Sequence, residues 1–447
     1  MFTHTTFTYC PQKSQLMNLQ LNTLHFERQR NRLTFVSFMC TINFVFTLLG
    51  YVLCTGIMSA FIPPTLMEST QITIPIRVFL LSISLIALIV GRTKNAKFDT
   101  ITIIYLIFWI LYIIRIFVDL HLRSPSSFNP FFAYQLGIPG FTLRSWSYVL
   151  AINLFPLFSI YRSWEQIDFE RAIDFILIFG TLAIISSMRT ISSEGYSLYG
   201  EDATQRVEAT ALLGTIELGH MCASIFLLSI FRFFYSPITS IWKPISAVIT
   251  IMSFVILLRS GSRGPFISIL FVFVFWVASI GRNLFLIGTL SVILLGLVYA
   301  LREKILDLVG LVSPVLADRL AITVKYGEGS GREYGYIAFL KESLNNWLTG
   351  FQCDMLGYAH NVFIDGFMMF GWIVGWIVPV VLLYALLRSY KLLTIRSKIS
   401  WVALLYMQSF MHLQFSSCLG YNSVIHMTLF LIFLLYMKYD NKSHLQI

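Results

Sequence analysis

Apolar residues run almost unbroken through twelve stretches of the chain, and polar residues collect in the gaps between them. The stretches fall at about 34–54, 74–91, 100–118, 146–161, 172–188, 209–231, 244–260, 265–281, 284–301, 361–387, 399–417 and 423–437. Most have roughly the 17–25 residues that carry an α-helix across a bilayer core. None shows the strict alternation of barrel strands. Hydrocarbon offers no water to the backbone, so only helices or closed barrels can span it. The pattern therefore predicts an all-α, polytopic integral membrane protein with about twelve transmembrane helices. One polar interruption stands out, residues 302–360 between the ninth and tenth stretches. It is too long for a plain connector. Within it, Tyr336, Phe339, Leu340, Leu344 and Trp347 recur at helical spacing, which predicts an amphipathic helix over Arg332–Leu348, with Gly327–Gly331 as a hinge before it.

Composition agrees with the pattern. The chain is 57% hydrophobic and 12% charged, whereas a soluble domain carries about 25% charged residues. The net charge of +10 is distributed in short loops and argues for orientation, not for nucleic-acid binding. Arg92, Lys94, Lys97, Arg162, Arg171, Arg232, Lys243, Arg282, Arg388, Lys391, Arg396 and Lys398 all fall in connections on the side of the amino terminus. Positive loops stay inside, so both termini are expected in the cytoplasm and the 302–360 loop outside. This divides the chain into a cytoplasmic segment 1–33, helices one to nine over 34–301, an external loop 302–360, helices ten to twelve over 361–437, and a cytoplasmic tail 438–447. Residues 1–32 lack the apolar core of a cleavable signal peptide, and Met17 is a second candidate start. The six cysteines are scattered, with no metal-binding spacing and no evident pairing of Cys353 with Cys418.

Three features on the external side can carry chemistry. The turn Arg259-Ser-Gly-Ser-Arg263-Gly-Pro265 offers free backbone N–H groups and a planar guanidinium suited to phosphate. The plainer reading has both arginines snorkelling to lipid headgroups. Arg332, with Arg319 upstream, is a second cationic pair, whose plainer role is to partner Asp318 or Glu333. The third is His360-Asn361 at the mouth of a helix. Such a histidine titrates near neutral pH and can take a proton from a hydroxyl, or it can simply cap the helix. Basic groups near a proton acceptor suit the departure of a diphosphate. Glu217 and His220, one turn apart inside a span, are costly to bury; they line a substrate cavity or satisfy each other. Arg115 and Asp119 read as a structural pair, and Asp365, five positions after His360, is given no orienting role.

Three segments, HNVFIDGFMMFGWIVG at His360–Gly375, RSGSRG at Arg259–Gly264 and SGREYGYIAFLKESLNNWLTGFQ at Ser330–Gln352, together resemble the O-antigen polymerase and O-antigen ligase superfamily. The resemblance covers about residues 205–440; the first half matches in topology alone. It implies a membrane-embedded glycosyltransferase of the bacterial inner membrane with a periplasmic active site. Donor and acceptor would be oligosaccharides on undecaprenyl diphosphate, delivered by a flippase, with a chain-length regulator as a further partner. By resemblance, His360 is the general base and Arg263 and Arg332 hold the diphosphate. Arg259, Arg319, Asn361, Glu217 and His220 complete the expected substrate contacts. The chain has no Asp-x-Asp motif, so arginine replaces a metal at the leaving group, and neither metal nor cofactor is expected. A single displacement would invert the anomeric carbon. Polymerisation is preferred to ligation onto lipid A core on the aromatic richness of 16%. A transporter would show internal repeats, and none is visible. A scaffold would leave His360 and Arg263 without a reason.

Overall fold

The computed structural model describes residues 35–58, 61, 70–93, 98–124, 136–193, 214–281, 285–326 and 332–444. The described residues form helices and loops, with no strand. In order the α-helices are α1 (Phe35–Leu48), α2 (Gly50–Met58), α3 (Thr70–Val90), α4 (Thr100–Phe117), α5 (Phe141–Ser147), α6 (Phe155–Ser163), α7 (Phe169–Ser193), α8 (Thr215–Tyr235) and α9 (Trp242–Arg259). They continue as α10 (Arg263–Gly281), α11 (Phe285–Ala300), α12 (Arg302–Val312), α13 (Pro314–Tyr326), α14 (Arg332–Asn345), α15 (Val362–Val374), α16 (Ile377–Thr394), α17 (Trp401–Phe415) and α18 (Ser423–His444). A π-helical turn at Val118–Leu122 extends α4, and another at Tyr148–Leu154 joins α5 to α6.

The bundle is built around α17, whose residues from Trp401 to Phe410 are all buried. Helices α8, α10, α16 and α18 pack against it. Residues on the outer faces of helices further out, among them Ile89 of α3, Ile110 of α4, Val248 and Ile251 of α9 and Val292 of α11, are exposed apolar side chains, as a surface against lipid requires. Among the described residues, seven helical stretches are long and apolar enough to cross a membrane: 73–90, 100–122, 141–166, 216–235, 242–259, 263–281 and 377–394. The pair α1 and α2 makes an eighth if counted as one bent crossing. A multi-pass helical membrane protein therefore stands.

Two expected crossings are not continuous helices. The stretch 34–54 bends by 89° between α1 and α2. Gly50 adopts φ +53 there, and a Cβ on it would lie 2.6 Å from Ser423 Oγ. The stretch 361–387 divides into α15 and α16, with a further break at Gly371, where φ is +72. The cause is a crossing strand of backbone. Trp372 N–H donates to Trp347 O at 2.6 Å and Phe351 N–H donates to Met368 O at 2.9 Å. Irregular backbone at membrane depth is tolerated only where protein or a cavity satisfies it. At the other end, α18 runs on through residues 438–444, which the sequence placed in a tail.

The 302–360 segment is largely helical. It holds α12, α13 and α14, and α14 matches the expected amphipathic helix except for its last three positions. The hinge at 327–331 and the amino-terminal segment lie outside the described residues. Beyond α14, the chain from Thr349 to Ala359 is pinned to the bundle by two carboxylates. Asp119, fully buried, accepts hydrogen bonds from Arg115 Nε (2.8 Å), Arg123 Nη1 (3.0 Å) and Cys353 N–H (2.6 Å). The same arginines donate to the carbonyls of Thr349 and Phe351. Asp354, also buried, accepts from Tyr112 Oη (2.8 Å) and Gly420 N–H (3.1 Å). Burial pushes its carboxyl above the usual range, and these two donors pull the other way.

Candidate functional site

A cavity of about 440 Å³ opens beside the carboxyl-terminal half of α17. Glu217 and His220 of α8 form one wall, and Gln408, Ser409 and His412 of α17 with Ser416 just beyond its end form another. Tyr51, Tyr148, Tyr358 and Tyr421 supply aromatic faces, and Arg144 also lines the space. Leu49 and Val52, on either side of the Gly50 break, complete the rim. Behind the tyrosines lies Arg77, only 8% exposed. Its guanidinium sits 4.6 Å from the Tyr148 ring centroid and 5.7 Å from that of Tyr51, and Nη1 donates to Ser147 Oγ at 3.0 Å. Among the described residues Arg77 meets no carboxylate, so its charge is held by aromatic faces.

Several expected site residues converge on this cavity. Glu217 is exposed to it in the first turn of α8, where the helix dipole favours an anion. His220 is 5% exposed and stacks on His412, ring centroids 3.4 Å apart and 18° from parallel. The Arg259–Pro265 turn packs directly behind it. A Cβ on Gly219 would meet Pro265 Cγ and Ser260 Oγ at 2.9 Å, and one on Gly264 would meet Ser416 Oγ at 3.2 Å and His220 Nε2 at 3.6 Å. Arg259 ends α9 and Arg263 begins α10, both half-buried.

His360 reaches the same region through its neighbours. Its ring stands edge-on to Tyr358, centroids 4.5 Å apart. Its φ is +59, one of two positive values among described non-glycine residues. That conformation costs on the order of 1–3 kcal/mol and persists where surroundings impose it. They do so here: Asp365 Oδ1 accepts from Ala359 N–H at 2.6 Å, just before His360. Just after it, Asn361 Oδ1 caps α15 by accepting from the N–H groups of Phe363 (3.1 Å) and Ile364 (3.3 Å), while its Nδ2 donates to Gln414 of α17 at 3.1 Å. Asn361 was expected to touch substrate; in the structure its side chain ties the helix start to α17. Asp365 holds the loop that carries the histidine.

Arg319 falls within α13 and Arg332 opens α14, but their side chains lie outside the described residues. Arg115 and Asp119 form the expected pair. Cys353 and Cys418 are both buried and free. Among the described residues no three His, Cys, Asp or Glu side chains cluster as metal ligands would. Sequence reasoning overlooked His412, Gln408 and Arg144. The first two were open to the test applied to Glu217 and His220, that a polar group inside a span calls for a partner or a role. Set against known proteins, the chain matches no family model, no curated sequence and no solved structure.

Proposed function

We propose that the protein is a membrane-embedded glycosyltransferase of the O-antigen polymerase type, acting on the periplasmic face of a bacterial inner membrane. On this reading the chain crosses twelve times, with both termini in the cytoplasm, and a flippase and a chain-length regulator work beside it. One observation carries the proposal. Three motifs far apart in sequence meet around one polar cavity at the end of α17: the Arg259–Pro265 turn packs behind it through Gly264, the Glu217–His220 turn lines it directly, and the His360 loop reaches it through Tyr358. Four tyrosines, hydroxyls, amides and one carboxylate around such a space suit a sugar, which presents apolar faces and hydroxyl edges.

The acceptor hydroxyl attacks the anomeric carbon of a polyprenyl-diphosphate-linked oligosaccharide. The new C–O bond forms as the bond from the anomeric carbon to the diphosphate oxygen breaks. His360 takes the hydroxyl proton, and Arg263 and Arg332 receive the charge that develops on the diphosphate. The anomeric configuration inverts.

The test is His360→Ala together with His360→Asn, since asparagine tolerates the left-handed backbone that alanine resists. Both variants are expected to lower elongation by about 10²-fold or more while accumulating normally in the membrane. Lipopolysaccharide carrying a single repeat unit identifies a polymerase. Bare core with lipid-linked polymer accumulating identifies a ligase instead. Unchanged long chains in the asparagine variant would remove His360 from catalysis.

A further inference from the structure

The stacked pair His220–His412 has a defined tautomer at both rings, and backbone groups define it. Gln408 approaches His220 with a single atom, 3.1 Å from Nδ1 and 3.4 Å from the His220 carbonyl. A carbonyl can only accept, so that atom is the amide nitrogen, and it also donates to Nδ1. The Gln408 oxygen on the other side lies 3.1 Å from Ser224 Oγ, whose single hydrogen is shared between it and the His220 carbonyl at 3.0 Å. His220 Nδ1 is therefore an acceptor, and the ring hydrogen sits on Nε2. The same logic fixes His412. Asn422 Oδ1 accepts from Ile425 N–H at 3.1 Å, at the start of α18, so its other atom is nitrogen. That nitrogen lies 3.3 Å from His412 Nδ1. His412 also carries its hydrogen on Nε2.

Two parallel rings that both line the cavity thus each carry an N–H donor. His220 Nε2 is buried and meets no acceptor among the described residues. A buried donor without a partner costs about 1–3 kcal/mol, so this N–H calls for an acceptor beyond the described residues. Gly264 keeps the space beside this N–H open, because a Cβ there would stand 3.6 Å from Nε2. Two cations cannot stack 3.4 Å apart without strong repulsion, so the pair works as neutral donors. Glu217 lines the same cavity with an acceptor. Adjacent N–H donors and a carboxylate match a hydroxyl, which accepts and donates at once; Arg144 lines the same space and offsets the charge of Glu217, so the match to a hydroxyl rests on the paired donors.

We infer that His220 and His412 form a paired N–H clamp for the hydroxyl oxygens of a sugar residue held in this cavity, with Gln408 and Asn422 as positioning residues that lock its tautomers. The inference rests on the reading of the cavity as a glycan site. It adds His412, Gln408 and Asn422 to that site and assigns the cavity to sugar and not to diphosphate.

The experiment uses the full-length protein in detergent, with two probes titrated while thermal unfolding is followed. One probe is a neutral oligosaccharide cut from the source cell's own surface polysaccharide, and the other is inorganic diphosphate. Three variants are compared with wild type. His412→Phe keeps the stacked ring and removes the donor, and His412→Gln restores an N–H near the position of Nε2. Asn422→Asp keeps the cap on Ile425 but turns its second atom into an acceptor, which forces the hydrogen of His412 onto Nδ1. The oligosaccharide is expected to stabilise wild type and His412→Gln. Its apparent affinity should fall about 3–10-fold in His412→Phe and in Asn422→Asp, the loss of one hydrogen bond. In ¹⁵N-histidine spectra, His412 should move from the Nε2–H to the Nδ1–H form in Asn422→Asp, a change that a merely structural asparagine would not produce. Equal oligosaccharide affinity in all four proteins overturns the clamp, as does an oligosaccharide that fails to stabilise wild type. Stabilisation by diphosphate with the same dependence on His412 overturns the assignment to sugar. Failure of the catalytic reading looks different: His360→Asn would build normal chains while the oligosaccharide still bound through His412.

Discussion

Asp119→Ala is expected to cost about 3–5 kcal/mol and to remove most folded protein from the membrane, the typical result of breaking a buried ion pair from one side. The Asp119 side chain is wholly buried, and those of Arg115 and Arg123 are 11% and 27% exposed. Its two oxygens serve both guanidinium groups and the Cys353 N–H. Alanine leaves two cations facing each other in a space with little water, and it frees a buried backbone donor. Asp119→Asn preserves shape and one acceptor and should fall between wild type and alanine. Fluorescence-detected size exclusion and thermal inactivation read the order. An alanine variant as abundant and as heat-stable as wild type would mean that the Thr349–Ala359 chain is held by something else.

Gly371→Ala should be nearly as damaging, at about 2–5 kcal/mol, the sum of a left-handed backbone imposed on alanine and an overpacked contact. The added Cβ would lie 2.4 Å from Trp347 O and 2.7 Å from Leu348 C. Both are backbone atoms, held by the hydrogen bond from Trp372 N–H to Trp347 O, so no side chain can swing aside. Gly350 faces the same crossing from the other strand, where a Cβ would meet Met368 O at 2.5 Å. Gly288→Ala in α11 is the control. Nothing lies within 4 Å of its Cβ position, and alanine in a helix is neutral or slightly stabilising. If both substitutions leave thermal stability unchanged, the close crossing at Gly371 is refuted.

Membrane helices were readable in the sequence because hydrocarbon allows a helix so few alternatives. The breaks inside them were not. Gly50 and Gly371 sit in apolar runs where glycine is ordinary, and what breaks the helices is distant in sequence: Ser423 at one and Trp347–Leu348 at the other. The candidate site was legible where a titratable group stood at an unusual place, as at His360, Glu217 and His220. Asn361 shows the limit of that approach. It reads as a substrate contact beside His360, and its geometry adds a helix cap and a tie to Gln414 that the sequence did not show. His412 shows the converse. Embedded in the apolar run of α17, it draws no notice until His220, separated from it by most of the carboxyl-terminal half, lies flat against it.

The anchoring of the Thr349–Ala359 chain bears on which parts of the molecule can move. Asp119 and Asp354 fasten that chain to α4 and to the turn at 419–421, and Asp365 and Asn361 fasten the ends of His360 to α15 and α17. A segment tied at so many points makes a poor lid. The histidine is held in place, so on the proposed glycosyltransferase reading it is the glycan, and not the loop that carries His360, that has to move between one transfer and the next.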